Sequence, residues 1–424
     1  MLQAESLLVQ SMSFRKLALF FSCFLVLSQA LGAESKVYGF STKGLDRVEH
    51  WLRDLATEKK ISGAVYGVMQ GGKVIRVSAV GKRDIERDLP MEVDSLFQIR
   101  SISKPITTVA ALQQIEKNRL SLDDKVSRYI PSFDAVTVFK DPDTHDFSQT
   151  RPPSRAITVA DLMKNTGGLS HRFSQLYRDN DVRLRSDSLA TLANKVAKVP
   201  LVADPGDQWI YSISMTILGR VIEIVSGAPL DEVLFENIFK PLGMSDTGFF
   251  ANNSDRIARA YRAPGGSSDL QRLPRMQIPI EEKPPLLEGA AGLVSTVPDI
   301  MNFFQALLNQ GELAGKRILE RESVVEMTRN QIDPHLMPFG INPISPMLDR
   351  GWGYGIGVVT DASESAFPVN DGEFAWSGSL GTFAWADPLD KTVFVLMLQQ
   401  SPSNAFDVSN EFRRRLFEAR MKNL

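Results

Sequence analysis

The sequence predicts an α/β chain in which strands from its two ends join into one antiparallel sheet, with the helices between them forming a second layer or lobe. Apolar runs of strand length occur near the start, over 63–79, and again from 353 to 398. Between them, apolar residues recur at helical spacing. Gly71-Gly72 supplies a hairpin turn between the first two strands, as antiparallel neighbours require.

In order along the chain, Leu45, Val48, Leu52 and Leu55 space out a helix. Gly63 to Met69 reads as a strand, and Ile75, Val77 and Ala79 alternate along its return partner. Ile102, Ile106, Val109, Leu112 and Ile115 form one apolar helical stripe. Pro105 is compatible with that helix only inside its first turn. Leu120 to Val126 turns into a short helix, and the polar, proline-bearing 141–153 is an exposed loop. Thr158 is the expected N-cap of a helix that runs towards the tight Gly167-Gly168 turn.

Residues 187–198 and Tyr211 to Val225 read as helices, the second closed by Gly227, and 251–285, with Gly265-Gly266, as irregular. Ser295 or Thr296 caps a helix over Met301 to Leu308. Asn330 to Arg350 is rich in proline and methionine and aperiodic, which predicts a long loop over a cleft. Strands follow at Gly353–Thr360, Phe374–Trp376, Gly381–Ala386 and Thr392–Leu398, and Ala405 to Lys422 is the closing helix.

The 424 residues are 43% hydrophobic and 23% charged, ordinary for a globular chain, and a net charge of −2 gives no argument for nucleic acid or an anionic membrane surface. Arg15 and Lys16 precede the apolar run Leu17 to Leu27, and Ala30 to Ala33 is a small-residue zone. This pattern predicts a signal peptide over 1–33, cleaved after Gly32 or Ala33, and an exported product in the periplasm or outside the cell. The run is short for a membrane span, so no stable span is expected after cleavage; an uncleaved anchor is the alternative. Cys23, the only cysteine, lies inside that segment, so the mature chain has no disulfide, thiolate or cysteine–zinc chemistry.

The chemistry centres on Ser101-x-x-Lys104 at the start of the 102–115 helix. At spacing i, i+3 a hydroxyl and an amine lie side by side. A serine is a weak nucleophile unless a base reaches it, and a lysine serves if burial lowers its pKa. The helix N-terminus offers backbone N–H groups for a developing oxyanion. By itself the pair also fits an ordinary helix start with a solvated lysine.

Three further stretches stand with it: Tyr211-Ser212-Ile213, Gly289-Ala290-Ala291-Gly292-Leu293 and Trp376-Ser377-Gly378-Ser379. In this order and spacing, over roughly residues 40–400, the chain resembles the serine β-lactamase-related family, which includes class C β-lactamases, D-amino-acid peptidases and family VIII carboxylesterases. Phe97–Lys104, Leu162–Leu169 and Trp209–Glu223 carry the resemblance most closely. It implies a β-lactamase/transpeptidase-like fold, an antiparallel sheet flanked by helices plus an all-helical lobe. Residues 36–424 would be the hydrolase domain, with a sheet lobe of about 36–100 and 286–424 and a helical lobe of about 101–285. It also implies roles: Ser101 as acylating nucleophile, Lys104 as its base, Tyr211 as proton shuttle, and the N–H groups of Ser101 and Ser379 as oxyanion hole. Trp376, Ser377, Gly378 and Ile213 would line the substrate site.

Two departures direct the reading within the family. Lactamases and peptidases place asparagine where this chain has Ile213, and lysine or histidine where it has Trp376. Both replaced groups hold polar parts of a lactam or peptide, and tryptophan there is typical of the esterase branch. Arg100, where small residues are the norm, has no assigned role. The expectation is therefore a secreted or periplasmic serine hydrolase of small carboxylic esters, its partner a small-molecule ester or amide, with no metal or organic cofactor and an open oligomeric state. A β-lactamase or D-amino-acid peptidase and a non-catalytic penicillin-binding-type sensor are the alternatives. A Ser-His-Asp hydrolase is disfavoured, because no Gly-x-Ser-x-Gly elbow exists and His50, His145, His171 and His335 lack triad context. His171 could face the cleft but reads better as a surface or capping histidine, and His145 with Asp141, Asp143 and Asp146 as a solvated loop.

Overall fold

The computed structural model describes residues 36–421 except 38, 252, 265–267, 274–279, 343–344 and 404–405. The predicted signal segment and Gly265-Gly266 lie outside the described residues. Helix α1 (Thr42–Thr57) is capped by Ser41, whose hydroxyl accepts the Gly44 N–H, and buries Leu45, Val48, Leu52 and Leu55. Strands β1 (Gly63–Gln70), β2 (Lys73–Asp84) and β3 (Leu89–Pro90) form one end of an eight-stranded sheet. Strands β4 (Arg350–Trp352), β5 (Gly357–Val359), β6 (Phe374–Gly378), β7 (Thr382–Asp387) and β8 (Thr392–Met397) form the rest. The order is β4-β5-β6-β7-β8-β1-β2-β3, antiparallel throughout, so the two chain ends meet where β8 pairs with β1.

Helix α1 and the closing helix α7 (Val408–Ala419) cover one face of the sheet around Tyr66, Trp385, Phe394 and Phe412. The other face carries α6 (Val297–Leu308), which Thr296 caps through the Asp299 N–H, with Pro298 tolerated in the first turn. Gly67 on β1 permits that approach, because a Cβ there would stand 2.1 Å from the Met301 sulfur. The core is continuous from Val65 and Val395 through Ile300 and Phe304 to Ile106 and Leu218, so the sheet and the helical layer share one core.

The helical layer contains α2 (Ser103–Glu116), α3 (Val159–Lys164), α4 (Leu189–Val196) and α5 (Ser214–Ser226). Thr158 and Asp161 close a capping box on α3, which ends in a left-handed residue, Asn165.

Several expectations are corrected. Helix α2 is not a one-faced stripe: Thr107, Thr108, Gln113 and Gln114 are buried as well, the Thr107 hydroxyl donating to the Gly289 carbonyl and the Gln113 amide to the Asn237 and Ile318 carbonyls. A β-bulge between Val68 and Met69 makes Ile75 the extra residue of β2, so it packs against the α1/α7 side while Val77 and Ala79 face the other core. Helix α5 starts at Ser214, leaving Tyr211 in the preceding loop, and α6 starts four residues before the expected Met301. Residues 330–350 hold a 3-10 turn (Pro334–Leu336) and a hairpin pairing Phe339–Asn342 with Ser345–Met347, rather than a bare loop. The strand expected at 353–360 is shortened to Gly357–Val359, because Gly353 donates to the Ile356 carbonyl in a tight turn between β4 and β5.

Candidate active site

Ser101 sits in the 3-10 turn Arg100–Ile102, two residues before the start of α2. The strand residues Phe97-Gln98 pair with Val294-Ser295, and the turn is fastened on two further sides. Ile99 N–H donates to the Leu293 carbonyl at 3.1 Å, and the Thr382 hydroxyl donates to the Ile99 carbonyl at 3.0 Å. Arg100 takes a positive φ of 51°, a sparsely populated conformation for a residue with a Cβ, directly before the serine.

Lys104, one turn along and 2% exposed, brings Nζ to 3.2 Å from Ser101 Oγ and donates to the Ala290 carbonyl at 3.0 Å. Nζ also lies 4.5 Å from the centre of the Tyr211 ring. Burial pushes the amine well below its usual pKa, and Arg172 adds to that, while Tyr211 and Glu288 oppose it. A neutral amine at this distance can accept the serine proton.

Tyr211 is gripped from both sides by Asn165. The Asn165 carbonyl accepts the Ile210 N–H at 2.9 Å, and its side-chain oxygen accepts the Ser212 N–H at 3.4 Å and hydroxyl at 3.3 Å. The Tyr211 hydroxyl accepts the indole N–H of Trp376 at 3.0 Å. His171 stacks on Tyr211 with ring centres 6.1 Å apart, and its Nδ1 accepts the Phe173 N–H. The histidine thus caps a local turn and also flanks the site, which the surface reading missed. Burial, with help from Arg172 and Lys104, lowers it to about 4, so it is neutral at pH 7.

Gly378, the last residue of β6, has no room for a side chain: a Cβ would stand 2.4 Å from the Ile99 carbonyl and 3.0 Å from Arg100 Cβ. The end of β6 therefore lies against the nucleophile turn, and the exposed Ser379 follows there.

The substrate-lining expectations need correction at three residues. Ile213 is fully buried in the main core and offers no surface to a ligand. Ser377 pairs with Phe383 and shares its face, the α7 side of the sheet, by strand alternation; it lines a groove of about 560 Å³ with Phe383, Trp385 and Arg413, and Trp376 and Met347 line the same groove. Trp376 is only 6% exposed, and Trp352 beside it is completely buried, its indole N–H donating to the Met163 carbonyl at 3.0 Å. With Trp209 and Phe339 they brace Tyr211 from behind, and Leu336, Met337 and Met347, partly buried against them, supply the more accessible apolar surface.

Three residues to which the sequence assigns no role matter here. Asn165 was visible only as part of a turn, Ala290 acts through a backbone carbonyl that any residue possesses, and Glu288 pairs with Arg172 and Arg183, more than a hundred positions away. Arg100 is 4% exposed, and burial first and then Arg172 push its guanidinium down to about 9. Among the described residues no group of three or more His, Cys, Asp or Glu side chains is placed to hold a metal ion, and no helix is long and apolar enough to cross a membrane.

Comparison with known proteins follows the same lines. The Beta-lactamase family pattern matches residues 48–419. Protein Rv1367c of Mycobacterium tuberculosis is 32% identical over 377 residues, covering 86% of this chain and 92% of its own. Esterase EstB of Burkholderia gladioli is 26% identical over 350 residues, covering 76% of this chain and 82% of its own. The solved structure of EstCE1, described as a hydrolase with promiscuous acyltransferase activity, superposes with a TM-score of 0.75 at 26% identity, over 89% of this chain and 98% of that one.

Proposed function

The chain belongs to the Beta-lactamase family, as a serine hydrolase of its carboxylesterase-like branch, and on that premise we propose that it cleaves small carboxylic esters through an acyl-Ser101 intermediate. The observation that carries this reading is the 3.2 Å approach of a buried Lys104 amine to Ser101 Oγ. Ser101 Oγ attacks the ester carbonyl carbon while its proton passes to Lys104, with Tyr211 in the same relay. The carbonyl oxygen, becoming an oxyanion, is held by the N–H groups of Ser101 and Ser379. The carbon–oxygen bond to the alcohol breaks, and the alcohol leaves with the proton from the Lys104–Tyr211 pair. Water then repeats the sequence on the acyl group and restores the serine hydroxyl.

The ester preference follows from what the cleft lacks. The indole at Trp376 brings no cation, and its N–H is committed to Tyr211. A lactam's carboxylate would go without a cationic partner there, at about 1–3 kcal/mol. An alcohol in place of water at the second step is a further reading, supported by the acyltransferase activity ascribed to EstCE1. Export belongs to the same proposal, from the charged, apolar and small-residue order at the N-terminus.

The test is kcat/KM for a butyrate ester and for a chromogenic cephalosporin on one preparation. The ester is expected to win by roughly five-fold to about 150-fold. Equal or better turnover of the cephalosporin overturns the ester reading in favour of a β-lactamase.

A further inference from the structure

Glu288 is buried beside the site, two residues before Ala290. Its carboxylate accepts Arg172 Nη1–H at 2.9 Å and Arg183 Nε–H at 2.9 Å on Oε1, and Arg183 Nη2–H at 2.6 Å on Oε2. Its backbone carbonyl accepts the Ala291 N–H at 3.0 Å and the Gly292 N–H at 2.7 Å. The side chain is thus anchored by the 172–183 segment, while the main chain closes the turn that presents the Ala290 carbonyl to Lys104. Next in line, the Gly289 carbonyl takes the Thr107 hydroxyl of α2 at 2.8 Å. Arg172 follows His171, whose ring stacks on Tyr211. One ion triad therefore ties the lysine side of the site to the tyrosine side.

We propose that Glu288 is a positioning residue for Lys104: it fixes the turn whose Ala290 carbonyl holds the amine, and with Arg172 it sets the charge around that amine. This inference rests on the acyl-Ser101 reading.

The groups facing Lys104 are Tyr211 from the loop before α5, Arg172 and the neutral His171 from the segment after α3, and Glu288 from the turn before α6. Arg183 acts through its bonds to Glu288, and Arg100 faces Arg172, Glu288, Arg183 and Arg185. Burial pushes Glu288 upward, but Arg172 and Arg183 outweigh it and hold the carboxyl at about 2, so it is charged at any working pH. That negative charge favours a protonated Lys104, whereas Arg172 disfavours one. The two partners of one ion pair therefore act on the base with opposite sign.

The experiment measures kcat and KM for a chromogenic butyrate ester from pH 5 to 9.5 in the full chain, Glu288→Gln and Arg172→Gln, alongside labelling of Ser101 by a fluorophosphonate. In Glu288→Gln, kcat is expected to fall about a hundred-fold from the loosened amine, with KM changing little. Its acid limb moves to lower pH, and that of Arg172→Gln to higher pH. A merely structural role lowers activity in both variants and moves neither limb, and that result overturns the proposal. Should Glu288→Gln fail to fold, Arg172→Gln decides alone: an upward limb supports the proposal and an unmoved one overturns it. Unlabelled Ser101 in the unaltered chain defeats the acyl-Ser101 reading itself; labelled Ser101 with unmoved limbs defeats only this inference.

Discussion

The indole N–H of Trp376 donates to the hydroxyl oxygen of Tyr211 across 3.0 Å, with the two ring centres 5.6 Å apart. A tryptophan where the family's lactamases carry a cation thus serves the tyrosine rather than offering itself to substrate. It orients the phenol and occupies one of its lone pairs, leaving the phenolic proton to point elsewhere. Trp376→Phe keeps most of the ring and removes the donor. We expect it to cost about 1 kcal/mol, roughly five-fold in kcat, with thermal stability little changed. Unchanged kcat in a folded protein would mean that the bond does not bear on turnover.

Lys104 reaches both Ser101 and Tyr211, and the three should act as one unit. Ser101→Ala, Lys104→Ala and Tyr211→Phe are each expected to lose on the order of 10³-fold or more in kcat, and any two together little beyond that. Additive losses in steady-state kinetics would show that the three act separately.

Position 213 is a matter of stability. Ile213 packs fully buried at the start of α5, so Ile213→Asn exchanges core hydrocarbon for a buried amide. The expected cost is about 3–5 kcal/mol, seen as a clear drop in thermal midpoint. The ratio of ester to cephalosporin turnover should stay as it was. A ratio moving towards the cephalosporin would show that an asparagine there reaches the cleft.

Turnover requires an unprotonated base, so the rate should rise from acid towards neutral or mildly alkaline pH. Burial lowers the Lys104 pKa and Tyr211 opposes it, so the limb is expected below the range of a free lysine. His171, held at about 4, has already lost its proton below this range. His171→Phe should therefore leave the limb where it is, whatever it does to kcat. A limb that vanishes in that variant would transfer the titration to the histidine.

Local physics determined much of this protein from sequence alone. The spacing of Leu45 to Leu55, the Gly71-Gly72 turn, the Thr158 cap and the alternation of apolar runs at both ends express rules that act within a few residues, and the described elements follow them. The Ser101–Lys104 pair was legible for the same reason, since three residues on a helix fix their distance. Only the tertiary structure decided what meets across the chain. The bulge that turns Ile75, the sealing of Ile213 and Trp352 in the core, the grip of Asn165 on both sides of Tyr211 and the Trp376 bond to its hydroxyl each depend on contacts between distant segments. So does the joining of Glu288 to Arg172 and Arg183, since a buried carboxylate must find cations wherever the fold brings them, and no pattern along the sequence records which ones.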